Sequence, residues 1–123
     1  MFERLMRKYA CERQIAIHVE SAGVHPSAKE GRRPSRHTET CMRERGIDIN
    51  DHRSKHVDDV YDLSRFDYVV VMTPDMRKEV MARGFRGRIL VLNVKNPEGT
   101  EISEYQRCAL ELEHAADLIT GAL

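Results

Sequence analysis

Two short apolar runs constrain this chain more than any other feature. Tyr68-Val69-Val70-Val71-Met72 is an uninterrupted apolar run, Arg88-Ile89-Leu90-Val91-Leu92 reads as a second apolar strand, and the segment between them starts at Thr73-Pro74 and stops at Gly84. Uninterrupted apolar strands belong to sheets covered on both faces. A Thr cap followed by Pro at the first helical position, closed by Gly, is the punctuation of a helix. Strand, helix, strand in that spacing requires a parallel pair with a crossover helix.

The rest of the chain extends this pattern. Ile15–Glu20 is a third apolar-rich run, ended by Ser21-Ala22-Gly23, and reads as a strand. Ser35 is placed to cap a helix that Gly46 ends, and a short helix is expected over Val57–Leu63. A long final helix has the seam Ile102, Tyr105, Ala109, Leu112, Ala116 and Ile119, fit to pack on the sheet. The opening residues MFERLMRKYACERQ form an amphipathic helix through Phe2, Leu5, Met6 and Tyr9, with no capping residue before it. A crossover helix links two strands, and here only the second is legible. The expected fold is a single α/β domain over residues 1–123, three-layered α/β/α with a small parallel sheet that lacks its first strand.

Charge and composition exclude several classes of function. Lys plus Arg and Asp plus Glu number 20 each, so there is no general attraction to nucleic acid or membranes. The balance is local, with 12 basic against 8 acidic residues in 1–56 and the reverse in 57–123. The densest basic patch is Lys29–Arg36, either a solvated loop or one that faces an anion. Three cysteines, Cys11, Cys41 and Cys108, form no Cys-x-x-Cys pair and point to a cytoplasmic, reducing compartment. Cys41 and Cys108 read as small buried hydrophobes. His52 and His56 stand at i and i+4 near Asp51, Asp58 and Asp59, but without a zincin's Glu or apolar flanks they read as a solvated loop. No metal and no cofactor is expected.

Four segments in order carry a more specific signal. They are Val19-Glu20-Ser21-Ala22-Gly23-Val24, Gly46-Ile47 leading to His52-Arg53-Ser54, Phe66–Met72, and Asn96-Pro97-Glu98-Gly99 with Tyr105 beyond. Together they resemble the low-molecular-weight protein tyrosine phosphatases and the arsenate reductases that share their fold, over essentially the whole chain. The resemblance implies phosphomonoester hydrolysis through a phosphocysteine, on a four-stranded parallel sheet. It implies a loop Cys-x5-Arg-Ser between the first strand and first helix, with a thiolate nucleophile and an Arg that holds the phosphate oxygens. A later Asp-Pro supplies the general acid.

The sequence departs from that pattern in three places. None of its cysteines is followed by Arg six residues on, and by alignment Met1 falls just past the loop. Asn96 occupies the general-acid position, and an amide gives up no proton near neutral pH. Glu98 stands where an aromatic residue often packs on a phosphotyrosine ring, and a carboxylate there is adverse to an aryl phosphate. His52 matches a histidine that supports the phosphate loop. Residues 1–123 alone are expected to show no turnover.

Three readings stand open: a native chain with an upstream strand and loop, a non-catalytic binding or regulatory relative, or an arsenate reductase or phosphoarginine phosphatase on a longer chain. The partner of a complete chain would be a phosphorylated protein or a small oxyanion. Within residues 1–123, Ile15–Glu20 is expected to pair directly with Tyr68–Met72, or the unpaired strands to recruit one from another chain or self-associate.

Overall fold

The computed structural model describes residues 1–123. Its helices are α1 (Phe2–Glu12), α2 (Arg36–Arg43), α3 (Pro74–Ala82) and α4 (Ile102–Gly121); its strands are β1 (Tyr68–Val71) and β2 (Arg88–Val91). The strands pair in parallel, Tyr68 opposite Arg88 through Val71 opposite Val91, with α3 as the crossover. The punctuation works as its chemistry requires. Thr73 Oγ1 accepts the Met76 amide at 3.3 Å, Ser35 Oγ accepts that of Thr38 at 3.2 Å, and Gly84 takes a φ of +86° beyond α3.

Two apolar clusters lie on opposite faces of the strand pair. The larger is built from α1, α2 and α4: Leu5, Cys41, Met42, Ala109 and Ala116 are fully enclosed, and Met72 and Leu92 reach it from the ends of the strands. Tyr105, Cys108 and Leu112 continue the α4 seam into it. The smaller is Val71, Val80 and Phe85 beneath α3, joined by Val69, Ile89 and Val91. Alternation along each strand therefore sends odd-numbered residues toward α3 and even-numbered ones toward α1 and α4. No helix is long and apolar enough to cross a membrane.

Three expectations from the sequence are corrected. Ile15–Glu20 forms no strand and does not pair with β1; residues 16–22 make no backbone–backbone hydrogen bond at all. A strand exists only through a neighbour's ladder, and no neighbour lies beside this one. The segment is held instead by side chains, as Arg7 Nη2 donates to the Val19 carbonyl at 2.9 Å and Ser21 Oγ to Glu3 Oε1 at 3.0 Å. Second, Val57–Leu63 is not one helix. Two single 3₁₀ turns form, Val57–Asp59 and Leu63–Arg65, because Asp62 between them has a left-handed φ of +46°. Third, β1 and β2 are not covered throughout on both faces. Tyr68 and Leu90 stay 41 % and 36 % exposed, since the larger core reaches only the C-terminal ends of the pair.

Candidate active site

Within residues 1–123 no side chain caps the amino end of α1. Met1 is its N-cap and provides no capping side chain, so the first-turn amides meet no side-chain acceptor. Beside it lies a cleft of about 210 Å³, lined by Met1, Glu3, Arg4, Arg32, Arg33, Pro34, Thr38, Ile49, His52 and Ser54. Helix partial charge and three guanidinium groups thus converge on one small volume, against the single carboxylate of Glu3.

Local geometry explains why these residues meet. The loop before α2 turns at Gly31, where φ is +62°, and is then clamped to the His52–Ser54 stretch. The Arg32 amide donates to Ser54 Oγ at 2.7 Å, and the Ser54 amide donates to the Arg32 carbonyl at 2.8 Å. That reciprocal pair brings half of the basic patch, Arg32 and Arg33, to the cleft. Arg4 comes from the first turn of α1. Its Nη2 is 3.1 Å from Asp51 Oδ1; its buried Nε has no hydrogen-bond partner and only an ion-pair contact with Glu3 at 3.5 Å. His52 is half-buried here, and burial lowers its pKa, with the α-amino charge of Met1 adding to the effect. Neutral His52 retains one nitrogen acceptor and one N–H donor for the loop or a bound anion.

The other singled-out residues are placed elsewhere. Asn96 is exposed and caps its own turn, its Oδ1 accepting the Glu98 amide at 3.0 Å over the buried Pro97. Neither Asn96 nor Glu98 lines the cleft. Cys41 and Cys108 are buried in the main core, where burial pushes both thiols up, the opposite of what a thiolate nucleophile needs. Cys11 is exposed on α1.

His56 corrects the reading of His52–His56 as a solvated loop. It is 4 % exposed, with Nε2 3.2 Å from the Val24 carbonyl and Nδ1 accepting the Asp58 amide at 3.1 Å. It joins Gly23 in an isolated parallel bridge, which anchors the end of the 16–22 segment. Gly23 is required there, because a Cβ would lie 2.9 Å from that of Ala28. The two histidines therefore have separate roles, and no group of three or more His, Cys, Asp or Glu is gathered in a metal-holding arrangement. Arg4 escaped notice in the sequence, where it is one polar residue of an amphipathic helix. Its position in the first turn of an uncapped helix was the available signal.

A parallel strand pair with helices on both faces defines an α/β class of protein. The family model for low molecular weight phosphotyrosine protein phosphatase matches residues 1–122, and the chain belongs to that family. Solved structures share its fold. A YwlE mutant from Bacillus subtilis superposes with a TM-score of 0.86 at 22 % identity, over 98 % of this chain and 86 % of that one. Vibrio vulnificus Wzb in complex with benzylphosphonate gives 0.84 at 17 %, over 99 % and 88 %. An arsenate reductase from Archaeoglobus fulgidus gives 0.73 at 23 %, over 98 % and 87 %. No curated protein matches the chain.

Proposed function

We propose that residues 1–123 bind a phosphate-like oxyanion in the cleft at the amino end of α1, as the scaffold of a phosphomonoester-handling protein that performs no turnover by itself. The observation that carries this reading is the convergence of Arg4, Arg32, Arg33 and His52 on that uncapped helix terminus. Family membership supports phosphate over other anions. The absence of turnover follows from chemistry. Cys11, Cys41 and Cys108 are followed six residues later by Ile17, Ile47 and His114, so no Cys-x5-Arg loop exists within these residues. Asn96 in the general-acid position removes a second component.

Titration with inorganic phosphate, followed by amide chemical shifts, tests the binding. Shifts should concentrate on residues 2–4, 32–33 and 52–54, and Arg4→Ala should weaken binding at least tenfold. Shifts scattered over the surface, or unaltered affinity in the Arg4 variant, would sink the reading. Incubation with p-nitrophenyl phosphate should release no product and leave no phosphorylated cysteine. Parallel titrations with arsenate and phosphoarginine rank the oxyanions, since one of the similar folds is an arsenate reductase and another is a YwlE arginine phosphatase.

A further inference from the structure

The arginines around the cleft fall into two groups. Arg4 and Arg32 each have a carboxylate partner, Asp51 at 3.1 Å and Glu30 at 2.5 Å. Arg33, Arg36 and Arg53 are exposed, and none has a carboxylate within 4.0 Å. Chain connectivity brings all three to the mouth of the cleft. Arg33 belongs to its lining, Arg36 opens α2 between the lining residues Pro34 and Thr38, and Arg53 stands between His52 and Ser54. The loop itself holds Arg53, whose Nη1 donates to the Asn50 carbonyl at 2.8 Å and the His52 carbonyl at 2.7 Å. A guanidinium fixed in this way loses little rotamer freedom when it meets an anion. In a chain whose 20 basic and 20 acidic residues balance, this is a local positive field.

We propose that the ligand of the cleft is a phosphorylated segment of another protein that carries Asp or Glu beside the phosphorylated residue, with Arg33, Arg36 and Arg53 reading those carboxylates. This rests on the anion-binding reading above and adds the chemistry of the partner. Volume and charge narrow the occupant. The cleft, at about 210 Å³, is smaller than the roughly 300–1,000 Å³ that encloses a whole small ligand. The phosphate enters, and the chain that bears it stays outside, where it meets the three arginines. Their planar forks match carboxylates through two parallel hydrogen bonds. A nucleic acid strand fits less well, because the lining contains no Phe, Tyr or Trp on which a base could stack. Beyond Ile49 a neighbouring cavity presents Glu39 and Asp48, which repel acidic side chains and confine them to the arginine side.

Fluorescence anisotropy with three labelled peptides tests the preference at low ionic strength. They carry phosphotyrosine between pairs of Asp, phosphotyrosine between pairs of Asn, and unphosphorylated tyrosine between pairs of Asp. The first should bind about tenfold more tightly than the second, the combined effect of three exposed charge pairs, and the advantage should collapse at high salt. The third should bind more weakly than the first. An Arg36→Gln, Arg53→Gln double variant should keep its affinity for inorganic phosphate and lose most of the preference, whereas Arg36→Lys, Arg53→Lys should retain most of it. Equal affinity for the two phosphopeptides, or an unchanged preference in the glutamine variant, would overturn the proposal while leaving phosphate binding intact. So would an unphosphorylated acidic peptide, or a phosphorylated oligothymidylate, that binds as tightly as the acidic phosphopeptide. Failure of inorganic phosphate itself to bind would instead remove the anion-binding reading, and this proposal with it.

Discussion

Ile15–Glu20 and Arg88–Val91 begin as similar segments and end differently. Both alternate between more and less exposed side chains, and both send apolar residues to a core. The second is β2, with a four-residue ladder to β1; the first has side-chain burial but no backbone pairing between residues 16 and 22. Side-chain pattern decides which face of a segment is buried, whereas a ladder requires a neighbour at the spacing of one strand. Burial and strand formation are separable, and this molecule separates them.

The largest expected contrast is in amide exchange. Amides of 16–22 should exchange through local opening, orders of magnitude faster than the β1 amides bonded to β2, which should require nearly global unfolding. Equal protection of the two would break the comparison. Next, Leu5→Ala removes a fully enclosed side chain from the core that supports Ile17 and Val19, and should destabilise by about 2–5 kcal/mol in urea unfolding. A value under 1 kcal/mol would mean that α1 is loosely seated. Ser35→Ala, which removes the cap of α2, should lose about 1 kcal/mol, and Thr73→Ala at α3 a similar amount.

The smallest effect concerns the tethers that replace a ladder at Glu20. Hydrogen bonds from His18, Lys55 and Arg65 hold its carboxyl down at about 2. A carboxyl with a depressed folded pKa contributes stability that is complete above its ordinary value of about 4.3 and is lost as pH falls toward 2. Glu20→Gln should therefore lower the Tm at pH 7 and lose that effect near pH 2. A pH-independent difference would assign Glu20 a packing role. His52 acts with the same slope for a different reason: its depressed pKa means that the unfolded chain binds the proton more tightly, so stability falls as pH drops below about 6.5.

The elements that could be read locally were those whose signal is local. Thr73-Pro74 and Gly84 bracket α3, Ser35 starts α2, and the Tyr105–Ala116 seam of α4 is buried as its periodicity requires. The cleft was half legible. The Lys29–Arg36 patch and His52 stood out, but only the Arg32–Ser54 clamp joins them, across 22 residues of sequence. Arg4 and His56 were not legible, since an Arg on a helix and a His in a polar stretch are ordinarily solvated. Their importance depends on what lies opposite.

By itself the sequence determined the four α-helices, the caps of α2 and α3, the parallel strand pair and the family, because these depend on periodicity, turn chemistry and the order of segments. It also determined that no Cys-x5-Arg loop occurs within these residues. Tertiary structure alone decided that the Ile15–Glu20 run stays unpaired, that His56 is buried, and that the basic loop closes over the amino end of α1. Each depends on a partner distant in the chain, and a hydrogen bond or ion pair exists only when both of its groups arrive at the same place.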